Sequence, residues 1–160
     1  MPHNNKLAID NARILFKNFT GKDDKFAHEG DRSFSVLIDD EDLANQLKNE
    51  GWNIKQLTPR DPDEKPSYYI KVKISYKVRA PKVWLLTNHK RTLLDESTIA
   101  TLQYARIENA DVVISPWQWD INGKSGIAAY LDTLYVKIED DPFAEKYADY
   151  EMNGNEEVPF

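Results

Sequence analysis

The sequence has no cysteine, only six glycines and three histidines in 160 residues, and no apolar run approaching the roughly 20 residues of a bilayer helix. Without cysteine there is neither a disulfide staple nor a Cys/His nucleophile, and His3, His28 and His89 are too scattered for a zinc site at recognised spacing. No glycine-rich loop leads into Lys-Ser/Thr, so nothing points to an NTPase. Residues 1–6 lack the apolar stretch of a secretory signal, which together with the missing cysteine predicts a cytoplasmic protein. A metal-dependent hydrolase would depend on carboxylates alone. The one dense cluster, Asp39-Asp40-Glu41-Asp42, is explained by capping and the macrodipole at a helix start. No enzyme, cofactor or metal is expected.

A large net charge of either sign is also missing from most of the chain. The net charge is −6, but residues 139–160 carry eight acids and one lysine, a net −7 that leaves +1 for residues 1–138. Residues 65–91 hold eight bases and no acid. The acidity is therefore a property of the C-terminal end. The chain divides into a domain over 1–138 and a flexible, partly helix-prone acidic tail over 139–160.

Residues 11–19 and 32–38 are rich in β-branched and aromatic residues and read as two strands joined by a long polar loop. Asp39 or Asp40 caps a helix over about 40–50, with Leu43 and Leu47 on one face and Gly51 as its stop. Residues 58–67, with Pro59, Pro62 and Pro66, read as an exposed loop, a candidate flap near a ligand. Residues 69–79 alternate strictly. Ile70, Val72, Ile74, Tyr76 and Val78 point one way, and Tyr69, Lys71, Lys73, Ser75, Lys77 and Arg79 the other. A basic link through Pro81 leads to a strand over 83–87, and Asp95 opens a short helical stretch containing Ile99 and Leu102. From 105 to 138 strand character returns, with a turn at residues 122–126 whose Asn-Gly step is a hairpin signal. Five or six strands with one or two short helices predict a mainly β protein, an OB-fold-like five-stranded Greek-key barrel.

A surface that holds single strands needs cations to follow the phosphates and aromatic faces on which bases stack. Lys71, Lys73, Lys77, Arg79 and Lys82 supply the first, with Lys90, Arg91 and Lys124 beyond them; Tyr69 and Trp84 supply the second. A plain solvated sheet face would show the same alternation, although such faces mix signs. Trp117 and Trp119 share one side of their strand, either as stacking platforms or as core. Phe16, Phe19 and Phe34 read as core.

At the C-terminus, Glu156 and Glu157 precede Val158, Pro159 and Phe160. A terminal ring beside its own carboxylate can enter an apolar pocket with a basic rim, which is a peptide-docking design. This ending resembles the acidic tip of the bacterial single-stranded DNA-binding protein family. Over most of residues 9–147 the body resembles phage-type single-stranded DNA-binding proteins, through Asn11-Ala12-Arg13-Ile14-Leu15-Phe16-Lys17-Asn18-Phe19, Trp117-Gln118-Trp119, Asn122-Gly123-Lys124 and Tyr130-Leu131. Bacterial members carry a long Gly/Gln-rich linker and an Asp-rich tip, whereas here the linker is short and the tip acids are Glu. The resemblance implies an OB-fold that coats exposed strands, with little sequence preference, in phage DNA replication, recombination and repair. It also implies replication or recombination proteins as partners of the tail, and leaves homo-oligomer formation open. The rival readings are a carboxylate-dependent nuclease or resolvase, and a recombination adaptor whose basic face binds protein.

Overall fold

The computed structural model describes residues 6–21, 31–59, 61–77, 79–87 and 90–139. The polar loop after the first predicted strand (residues 22–30), Val78 and the tail from residue 140 onward, with its Glu156–Phe160 tip, lie outside the described residues.

The described chain is mostly β, with nine strands in one sheet: β1 (Leu7–Ile9), β2 (Ile14–Asn18), β3 (Arg32–Ile38), β4 (Ile54–Leu57), β5 (Ser67–Ile74), β6 (Lys82–Thr87), β7 (Lys90–Leu94), β8 (Ile107–Ile121) and β9 (Lys124–Ile138). One helix, α1 (Glu41–Glu50), and a single 3₁₀ turn, Ile99–Gln103, complete it. The hydrogen-bonded path runs β1-β8-β9-β5-β3-β2, with β4 beside β5 and the β6–β7 hairpin beside β9. No ladder joins β1 to β2, so the sheet is not closed. Residues 12 and 13 span the gap instead: Ala12 N donates to Ala110 O at 2.7 Å, and Leu37 N to Arg13 O at 3.0 Å. The result is barrel-like and OB-like, built from nine strands rather than five or six. β1 and β4 have three and four residues, too short to show a period in the sequence.

Local chemistry sets the element ends. Asp40 Oδ1 accepts from Asp42 N at 2.9 Å and Leu43 N at 3.4 Å, satisfying two of the amides that the first helical turn leaves open. Gly51 ends the helix at φ 108°, a left-handed conformation that favours glycine. The β8–β9 turn is only Asn122-Gly123, at φ 53° and 80°, as a two-residue hairpin with the strands' own twist requires. Asp95 Oδ1 accepts from the amides and hydroxyls of both Ser97 and Thr98, setting up the 3₁₀ turn that buries Ile99 and Leu102.

The inward faces form one core. Phe19 and Phe34 stack at 5.6 Å between centroids, among Val36, Ile70, Val72, Val112, Ile114 and Leu134. β9 keeps an inward face along its whole length by a one-residue bulge. Ile114 pairs Leu131 and Val113 pairs Thr133, leaving Asp132 as the extra residue. Ile127, Ala129 and Leu131 before the bulge, and Leu134 and Val136 after it, are all buried.

Candidate nucleic-acid interface

The surface of interest is the outward face of β2, β3, β5, β9 and β8. Because Val72 pairs Ala129 and Lys73 pairs Tyr130, the outward side chains of β5 stand beside those of β9. Trp117, Ala128, Trp119 and Gly126 continue this face across β8. Here the structure excludes one of the two readings of the indoles: Trp117 is 58% exposed and Trp119 38%, so neither is core. Their neighbours on the buried side of β8, Val112 and Ile114, fill that role.

The predicted strand over 69–79 stops at Ile74. Along β9, β5 is the partner as far as Tyr130 and β6 takes over at Thr133, so the segment between β5 and β6 has no ladder to join. Lys77 and Arg79 therefore sit on a connection rather than on the strand face with Lys71 and Lys73. They still converge with it. Ser75, Lys77, Arg79 and Ala80 form one wall of a cleft of about 440 Å³, opposite Ser115, Trp117, Tyr130 and Asp132. A second cleft of about 370 Å³, lined by Arg32, Lys71, Lys73, Tyr76, Lys77 and Tyr130 and also by Asp31 and Glu96, shares Ser75, Lys77 and Tyr130 with the first; Glu96 is paired with Arg32 at 3.5 Å, and the lysines outnumber the one remaining acid. Tyr130 thus stands between two basic clefts. Lys73 Nζ lies 5.9 Å from its ring centroid, and Trp117 meets it edge-on at 6.3 Å and 68°.

At the other border, Phe16 is 62% exposed and touches Tyr69 edge-on at 5.4 Å, so its assignment to the core is corrected. The cause is a register shift in β2 between Leu15 and Asn18, with Phe16 at φ +49°. A non-glycine residue in that region costs about 1–3 kcal/mol and persists only where its surroundings hold it. Gln103 does so from the 3₁₀ turn, accepting from Phe19 N at 2.7 Å and donating to Lys17 O at 2.8 Å. Sequence reasoning misses both Phe16 and Tyr130 as surface aromatics. The motif Tyr130-Leu131 stands out in the sequence, but which of the pair faces out depends on the bulge at Asp132.

The remaining predicted residues fall into two groups. Lys124 and Trp119 lie near the free end of the β8–β9 hairpin. Lys82, Trp84, Lys90 and Arg91 belong to the β6–β7 hairpin, where Arg91 covers the Trp84 ring at 4.4 Å. That guanidinium occupies one indole face. Other bases are spent inside the fold: Lys17 Nζ donates to Leu102 O and Ala105 O, and Arg32 Nε to Phe19 O.

One acid lines the first cleft. Burial alone would raise the Asp132 carboxyl, but hydrogen bonds from Lys6, Thr133 and Ser115, with the Lys6 charge, hold it below the ordinary carboxylate range. Lys6 Nζ is 2.7 Å from Oδ2, so the carboxylate enters the cleft already paired. Burial foremost pushes the Tyr76 phenol up, and its hydroxyl has no hydrogen-bond partner among the described residues. Of the Asp39–Asp42 cluster, Asp40 spends Oδ1 on the helix cap, and among the described residues no three His, Cys, Asp or Glu side chains gather to hold a metal.

Cations beside exposed rings, on an open sheet face with clefts on either side of one tyrosine, define the class: a β-sheet surface suited to an unpaired polyanion whose bases are free to stack. Residues 2–158 match the family described as "Putative phage ssDNA-binding domain", and the chain belongs to this family of single-stranded DNA-binding proteins, which are not enzymes. The fold is similar to that of the single-stranded DNA-binding protein from bacteriophage Enc34. In complex with ssDNA that protein is 18% identical, with a TM-score of 0.52 over 86% of this chain and 89% of that one. A C-terminal truncation of it gives 17% and 0.51 over 86% and 88%. A further structure of it gives 19% and 0.51 over 90% and 88%. No curated protein matches the sequence.

Proposed function

We propose that this protein coats exposed single strands during phage DNA replication and recombination, in the host cytoplasm and with little sequence preference. The strand lies across the outward face of β5, β9 and β8. Lys71, Lys73, Lys77 and Arg79 follow the phosphates, while Tyr130 and Trp117, with Tyr69 and Phe16 at one border and Trp119 at the other, offer rings to the bases. The observation that carries this reading is Tyr130, an aromatic ring between two basic clefts with an exposed indole on one side and a lysine on the other. An unpaired strand can place bases on the rings while its backbone stays within reach of the cations; a duplex keeps its bases stacked on one another. Lys82, Trp84, Lys90 and Arg91 extend the cationic surface along the far half of β9. The acidic tip Glu156–Phe160 recruits replication or recombination proteins, its acids and apolar ring read together by a pocket with a basic rim.

The test is a fluorescence titration with oligo-dT over a series of salt concentrations. Each phosphate neutralised on a single strand contributes a slope of about −0.7 in log K against log salt. A slope of several such units supports the reading, and a flat response sinks its electrostatic part.

A further inference from the structure

Trp117 and Trp119 each face an unusually small partner across the hairpin: Ala128 opposite Trp117, and Gly126 opposite Trp119. Gly126 is not there for its backbone, because its φ lies outside the left-handed region and any residue could adopt it. The reason is steric. A β-carbon at Gly126 would stand 2.8 Å from Cζ2, 3.0 Å from Cε2 and 3.2 Å from Nε1 of Trp119, inside the ring's own van der Waals space. The indole lies where the side chain of β9 would otherwise be. Trp117 is held differently, by the edge contact with Tyr130, whereas no ring contact braces Trp119 among the described residues.

We propose that Gly126 is the positioning residue for Trp119: its bare backbone is the seat that holds the indole in one pose as a stacking platform for an unpaired base. The proposal rests on the single-strand reading above and adds a residue that touches no nucleotide. A ring that lies on the sheet has lost its rotamer freedom before the strand arrives, so less ordering opposes stacking. An added methyl group removes the seat and turns the ring away while leaving every cation of the face in place.

The experiment is a binding cycle with fluorescently labelled oligo-dT on the wild type, Trp119→Ala, Gly126→Ala and the double variant. One stacked base is worth about 1–3 kcal/mol, so Trp119→Ala and Gly126→Ala should each weaken binding by about 5- to 150-fold. The double variant should bind no more weakly than Trp119→Ala alone. Stability separates this role from a general need for glycine, which would lower the thermal midpoint whether or not Trp119 is present. Gly126→Ala should lower the thermal midpoint when Trp119 is present and raise it when Trp119 is absent, because alanine is the better strand residue once the clash is gone. If Gly126→Ala fails to fold, a double variant that regains the midpoint of Trp119→Ala supports the proposal, and a double variant that also fails overturns it. Affinity of Gly126→Ala within twofold of wild type overturns the proposal and leaves the single-strand reading standing, as does a double variant that loses the product of both single effects. Wild-type affinity in Trp119→Ala removes that indole as a platform, and with it the role of Gly126. Absence of binding by the wild type is the outcome that sinks the single-strand reading itself.

Discussion

Lys73 and Tyr130 are cross-strand partners on neighbouring parallel strands, and the lysine ammonium sits 5.9 Å from the tyrosine ring centroid. The pairing sets a cation and an aromatic ring side by side at the point where two clefts meet.

Replacing Tyr130 by Ala should weaken oligo-dT binding by about 1–3 kcal/mol, the usual worth of one stacked base, whereas Tyr130→Phe should stay near wild type. Equilibrium titration of both variants checks this. Equal losses would shift the role from the ring to the hydroxyl.

The triple variant Lys71→Ala, Lys73→Ala, Lys77→Ala should weaken binding to all strand sequences alike and reduce the salt slope by about 0.7 for each phosphate that is no longer neutralised. Lys73 and Lys77 are exposed and Lys71 half-buried, and no salt bridge holds any of the three among the described residues, so the thermal midpoint should move little. Unaltered affinity would place the phosphate path elsewhere.

Much of this surface can be read from the sequence, but not its borders. The Asp40 cap, the Gly51 stop, the Asn122-Gly123 turn and the alternation from Tyr69 to Ile74 are local signals, and each recurs in the structure. What escapes is decided between elements. The exposure of Phe16 depends on a bulge pinned by Gln103, 84 residues from the Phe19 amide it accepts from. The outward direction of Tyr130 depends on the bulge at Asp132, and the end of β5 on the arrival of β6 beside β9. Alternation sorts Trp117 and Trp119 onto one face, yet no local pattern says which face is the core.

Asp132 ties residue 6 to the bulge of β9, which predicts a defined pH dependence. Its folded-state carboxyl lies below the ordinary value, so its stabilisation is full above the unfolded-state pKa of about 3.9 and is lost as pH falls through the folded value. Asp132→Asn should have a lower thermal midpoint than wild type at neutral pH, with the gap constant down to about pH 5 and closing in more acidic solution. Midpoints across a pH series measure it, and a gap that widens on acidification contradicts the assignment.

Removing residues 155–160 should leave the fold intact and hold or slightly raise strand affinity at low salt, since it takes only Glu156 and Glu157 from the eight acids of residues 139–160 and so lessens the negative charge that can compete with phosphate for the basic face. Recovery of replication proteins from infected-cell lysate should collapse with this truncation. If wild type and truncation recover the same proteins, the tail has no recruiting role.

The central question is where the strand lies. Trp84→Phe leaves buried Trp52 and the two exposed indoles, Trp117 and Trp119, so emission from this variant reports chiefly on the β8 end of the proposed path. Oligo-dT should quench that emission saturably, in step with the anisotropy of a labelled strand, while a duplex of equal length binds far less tightly. Full binding by anisotropy with the tryptophan emission unchanged would contradict the claim that the strand crosses β9 and β8.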